Sequence, residues 1–72
     1  MEITYDTEAD AWYIRICDGE FGENREPLPG VILDVGTRGE LLGIEILHAS
    51  QRCPLGELAH VDITMPHRVA ES

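Results

Sequence analysis

The sequence predicts an α+β domain that is mostly β: an antiparallel meander of four to five strands with a short C-terminal helix. Apolar and polar residues alternate through "EITYD", "AWYIRIC", "VILDV" and "LLGIEIL", the period of strands with one buried face. Reversal signals built on Asp and Gly separate these runs, as at Asp18-Gly19. The alternation stops after Leu47, where a helical turn becomes the better reading.

In the first strand Ile3 and Tyr5 alternate with Glu2 and Thr4. In the second, Trp12, Ile14 and Ile16 share one face, and Ala11, Tyr13, Arg15 and Cys17 share the other. The intervening "TEAD" has a length suited to a hairpin connection. A short strand over Gly22–Pro27 is expected at a sheet edge, because proline lacks the N–H that a central strand must donate. Gly30 then turns the chain.

Val31, Leu33 and Val35 share one face of the next strand, and Leu42, Ile44 and Ile46 one face of the strand that returns. The glycines of "GTRG", Gly36 and Gly39, supply the positive φ of a tight reversal. Gly43, inside a strand, marks a bulge or a close backbone approach. Ser50 is a candidate cap for a short helical turn; alternatively, Pro54 opens a helix running to about His60. Val61, Ile63 and Met65 restore the two-residue period, and "HRVAES" reads as a tail.

Seventy-two residues allow one domain, with the meander over 1–50 and a short helix or strand and tail over 51–72. A chain this short buries only about 60% of the surface its unfolded form exposes. Leu55, Leu58 and Val61 are thin cover for one apolar sheet face, so a homodimer or higher homo-oligomer is expected. Fourteen acidic residues face five arginines and no lysine, a net charge of −9. That field repels phosphate backbones, which argues against direct nucleic-acid binding, and favours a basic protein partner or plain solubility. "MEITYDTE" has no basic segment leading into an apolar one. No apolar run reaches the ~20 residues that span a bilayer. The expectation is a cytoplasmic protein without a membrane partner, its Cys17 and Cys53 reduced.

Asp6, Glu8 and Asp10 alternate as oxygen ligands do in the first half of a calcium loop. The sixth position of that loop is Ala11 rather than glycine, and the twelfth is Cys17 rather than a bidentate glutamate. Turn chemistry explains them better, since Asp and Thr side chains accept nearby backbone N–H groups. Opposite the apolar face, alternation brings Arg15, Asp34 and Glu45 together if their strands are neighbours. Two carboxylates flanking an arginine could do acid–base work; a cross-strand ion pair is the simpler account. His48, Cys53, His60 and His67 match no compact zinc-ligand spacing. Neither cysteine has the cationic surroundings of a nucleophile, apart from Arg52 beside Cys53. No metal or other cofactor is expected.

Two motifs carry a family resemblance. "YDTEADAWYIRI" resembles the opening of the domain of unknown function 2283 family, small prokaryotic proteins, and "GVILDVGTRGELLGIEILHAS" resembles its second hallmark. The matching positions are Tyr5, Asp6, Glu8, Asp10, Tyr13, Arg15, Asp34, Gly43, Glu45 and Ser50. The resemblance implies a small single domain without agreed catalytic residues. Members found beside toxin-like genes imply an antitoxin-like role, which an acidic module covering a basic partner would suit. The sequence thus reads as a non-enzymatic protein-interaction module. Its candidate surface is Tyr5, Asp6, Glu8, Asp10, Tyr13, Arg15, Asp34 and Glu45. The alternative is a small-molecule or metal-binding protein, or a weak enzyme, using Arg15, Asp34 and Glu45.

Overall fold

Period-two alternation is converted into continuous rows of side chains once the strands pair. The computed structural model describes residues 1–53 and residue 64. Five strands appear in chain order: β1 (Glu2–Asp6), β2 (Ala11–Arg15), β3 (Phe21–Leu28), β4 (Val31–Gly36) and β5 (Leu41–Ile46). One short helix follows, α1 (Ala49–Arg52). The strands form a single antiparallel sheet in the order β1-β2-β5-β4-β3. The fold is mostly β with one helical turn, as the alternation predicts.

Each consecutive pair β1–β2, β3–β4 and β4–β5 is a hairpin, and the sheet closes by pairing β5 with β2. Composition explains why β5 takes the centre. It and its neighbours β2 and β4 carry the β-branched apolar residues, whereas β3 is exposed at all eight positions. Pro27 confines β3 to the edge, as expected. β3 is longer than the strand read from the sequence and is bulged at two points, one of them at Gly22. A Cβ on Gly22 would lie 3.0 Å from the Gly36 carbonyl, so the backbones approach closely there.

The register sets Ile3, Ile14, Ile44 and Leu33 in one row across the sheet. Tyr5, Trp12, Ile46 and Val31 form the next row on the same face. The Tyr5 and Trp12 rings lie 5.3 Å apart, tilted. The other face carries Thr4, Tyr13, Glu45 and Ile32, and beside them Glu2, Arg15, Gly43 and Asp34. The separation of an apolar and a polar face thus holds across four strands. It slips once. A register shift beside Gly43 sets Leu41, rather than Leu42, opposite Val35, and Leu42 becomes one of the few buried side chains.

Gly30 and Gly39 have φ of 82° and 83°, the left-handed region that a turn requires and glycine enters freely. Gly36 departs from expectation: it remains in β4, and only Gly39 supplies the positive φ of that reversal. Two backbone bonds close the turn: Gly39 N–H donates to the Gly36 carbonyl at 3.0 Å, and Gly36 N–H donates to the Glu40 carbonyl at 2.8 Å.

Among the described residues the buried apolar side chains are Ala11, Leu42 and Ala49, and no large side chain is fully enclosed. The two apolar rows are half-buried throughout. No helix among the described residues is long and apolar enough to cross a membrane. The helix expected from Pro54 to His60, the strand through Val61 and Ile63, the cover by Leu55 and Leu58, and the tail lie outside the described residues.

Candidate functional site

The eight candidate residues divide into two groups, one at the β1–β2 turn and one on the polar face of the inner strands. The first group gathers at the β1–β2 turn. Asp6 Oδ1 accepts the Glu8 and Ala9 N–H groups at 3.0 and 3.2 Å, the side-chain turn expected of an aspartate there. Glu8 is exposed and makes no side-chain hydrogen bond within the described residues. Asp10 ends the turn at φ 51°, a left-handed conformation that Asp tolerates better than most side chains.

Asp10 is the hub of this group. It accepts Tyr5 Oη at 2.7 Å, Ser50 Oγ at 2.7 Å and Ser50 N–H at 3.1 Å, while its carbonyl accepts Ala49 N–H at 2.9 Å. The first backbone donors of α1 are therefore satisfied from a turn forty residues earlier in the chain. Ser50 is not the cap: His48 holds that position, at φ 54°, and its side chain caps nothing. Ser50 lies inside the helix and donates outward, because Asp10 already supplies the acceptor. Ala49, 1% exposed, is buried at this joint. The Tyr5 and Ser50 hydrogen bonds hold the Asp10 carboxyl below its ordinary 3.8. The bond to Asp10 in turn raises the Tyr5 hydroxyl above 10.0.

The second group lies on the polar face. Tyr13 on β2 stands opposite Glu45 on β5, and its hydroxyl continues past Gly43 to donate to Asp34 Oδ2 on β4 at 3.0 Å. A Cβ on Gly43 would sit 2.3 Å from that hydroxyl, so the missing side chain is what lets the tyrosine cross β5. Desolvation, then the hydrogen bond to Asp34, raise the Tyr13 hydroxyl above 10.0, with the Glu45 charge adding to the effect.

The expected cluster of Arg15 with Asp34 and Glu45 does not form as an ion-pair network. β5 lies between β2 and β4, and its Gly43 stands between Arg15 and Asp34 in the row. Arg15 instead pairs with Asp18 just beyond the end of β2, an exposed bridge with little hold on the fold. Asp34 is engaged by Tyr13. Both cysteines are free thiols, and Cys17 Sγ contacts the Leu41 carbonyl at 3.2 Å. Of the histidines weighed as zinc ligands, His60 and His67 lie outside the described residues.

Sequence reasoning missed Arg52. Its Nε donates to the Leu47 carbonyl at 2.9 Å and its Nη2 donates to the Pro29 carbonyl, tying α1 to the β3–β4 turn over Gly30. Glycine in "PLPG" was the available signal, since a Cβ on Gly30 would occupy the space that the Arg52 guanidinium takes.

These features define a small antiparallel sheet protein whose distinctive polar residues brace turns and strands. The chain belongs to the family described as "Protein of unknown function (DUF2283)", which matches residues 2–50. The matched span ends at Ser50, the residue that Asp10 holds. No curated protein and no solved structure matches the chain.

Proposed function

We propose that this protein is a non-enzymatic interaction module that self-associates through its apolar sheet face and uses its acidic surface to bind a basic protein, in the manner of an antitoxin. The observation that carries this reading is the half-buried state of Ile3, Tyr5, Trp12, Ile14, Ile44, Ile46, Val31 and Leu33. A sheet with one apolar face is stable only when that face is covered. A second copy would supply that cover.

The net charge of −9 supports the basic partner. Complementary charge speeds encounter and rejects like-charged competitors. A small-molecule or metal site on Arg15, Asp34 and Glu45 has less support, since Asp18 and Tyr13 already engage two of those three.

Sedimentation equilibrium tests self-association. The reading expects a dimer or larger species that Ile44→Asp converts to monomer while the β spectrum is retained. A monomeric wild type across micromolar to millimolar concentrations would refute it. Affinity capture from the native host, eluted by a salt gradient, tests the partner: a basic protein should be released at moderate ionic strength.

A further inference from the structure

Among the described residues the sheet has two edges, β1 and β3, and they are protected unequally. β3 carries two bulges and Pro27, features that blunt an edge against added strands. β1 has none of these. Its five residues pair with β2 in unbroken register, from Glu2 opposite Arg15 to Asp6 opposite Ala11. An edge so regular presents evenly spaced N–H and C=O groups that another extended segment can complete.

The side chains of β1 specify what that segment should be. Glu2, Thr4 and Asp6 are exposed on the polar face, while Ile3 and Tyr5 are half-buried on the apolar face. Full antiparallel pairing of β1 with itself would set Glu2 of one copy against Asp6 of the other at both ends. Like charges directly opposite are destabilising. A second copy is therefore disfavoured at this edge. Arg15, the residue opposite Glu2, pairs with Asp18, and the Asp6 carboxylate meets only the turn amides of Glu8 and Ala9 among the described residues. Among the described residues neither carboxylate is held in an ion pair, although the Glu2 charge acts on Arg15 across the strand pair.

We propose that β1 is a docking edge for an extended segment of a basic protein, which adds to the sheet as a further strand with the pattern basic–apolar–any–apolar–basic. The flanking cations face Glu2 and Asp6, and the apolar pair lies beside Ile3 and Tyr5, lengthening both apolar rows. This deepens the reading of the chain as an interaction module and rests on it, but it does not depend on self-association.

The test is an amide-resolved NMR titration of the full chain with a capped Lys-Val-Thr-Val-Lys peptide flanked by glycines. The expected result is shift changes and slowed amide exchange confined to β1 and the adjoining β2. Charge reversal of the peptide to Glu-Val-Thr-Val-Glu should abolish binding. Methylation of alternate peptide amides should also abolish it, because strand addition needs those N–H groups. Glu2→Gln should weaken it about twofold to fivefold, the range of one exposed ion pair. Absence of binding, changes centred on β3 or the apolar rows, or equal binding of the methylated peptide would each overturn the proposal. So would protection, before peptide is added, of those β1 amides that point away from β2. Protection that rises with protein concentration would assign the edge to a second copy, and protection that does not would assign it to residues 54–72. Sedimentation of the same samples reports on self-association separately.

Discussion

The Tyr13 hydroxyl donates to Asp34 Oδ2 at 3.0 Å, from β2 to β4, across the intervening strand β5. Backbone pairing alone links each strand only to its neighbours. This bond links strands that are not neighbours, and it is possible because Gly43 leaves the surface of β5 bare beneath it. Its cost is a central glycine that weakens β5 locally. The geometry thus explains three of the family-matching positions at once, Tyr13, Asp34 and Gly43, as parts of one strut.

Replacing Gly43 with Ala should remove the strut. The new methyl would lie 2.3 Å from the Tyr13 hydroxyl and 3.0 Å from the Ile14 carbonyl, which cannot retreat without disturbing the β2–β5 pairing. Urea unfolding should show a loss of about 1–3 kcal/mol. Tyr13→Phe should lose about 0.5–1.5 kcal/mol, the net value of one hydrogen bond. A Tyr13→Phe, Asp34→Asn double-mutant cycle should show that the two losses do not add. Full additivity would mean that the contact carries no energy.

Gly39 offers the opposite case. A Cβ there meets nothing within 4 Å, but φ is 83°. Gly39→Ala should therefore be destabilising by roughly 1–2 kcal/mol through backbone conformation alone. Gly39→Asn should recover most of that loss, since asparagine enters the left-handed region more readily. At Gly43 the same asparagine substitution should be at least as harmful as alanine, because the obstacle there is space. Thermal unfolding of the four variants separates the two causes.

The contrast shows what the sequence could and could not reveal. Period-two alternation was sufficient to assign Ile3, Trp12, Ile14, Val31, Leu33, Ile44 and Ile46 to one face, because the pleat enforces it locally. Pro27 was sufficient to send its strand to an edge. The placement of β5 between β2 and β4 was not legible, since it depends on pairing between residues far apart in the chain. The slip at Leu42 was hidden for a related reason: a bulge is set by what the partner strand requires. At the candidate site the residues were legible and their grouping was not. Arg15 and Asp34 point to one face as alternation says, yet a glycine without a side chain decides that tyrosine, not arginine, reaches the aspartate. No local pattern joins Asp10 to Ser50.

At high pH the two tyrosines should report their bonds. Both hydroxyls are held above 10.0 in the folded chain, Tyr5 chiefly by its bond to Asp10 and Tyr13 chiefly by desolvation and then by Asp34. A raised folded value means that the stabilisation is complete below pH 10 and is lost as pH climbs through the folded values. These are the only tyrosines in the chain, so phenolate absorbance reads them without interference. Folded protein should titrate later than protein in urea. Tyr13→Phe should leave the Tyr5 curve unchanged, and Ser50→Ala should leave the Tyr13 curve unchanged.

At low pH the joint between the β1–β2 turn and α1 should open first. Asp10 is held below 3.8 by Tyr5 and Ser50, and for a depressed carboxyl the stabilisation is present above the unfolded value and is lost as pH falls through the folded one. The sensitive window therefore begins near pH 3.8 and extends downward. Protonation removes charge from the acceptor of Tyr5 Oη, Ser50 Oγ and Ser50 N–H together, so the Ser50 amide resonance should move before the sheet amides of β4 and β5 do. Asp10→Asn keeps an acceptor and tolerates φ 51°, so it should fold while abolishing this early acid step. If the Ser50 and β5 amides shift together in the wild type, Asp10 is not the acid-labile link between turn and helix.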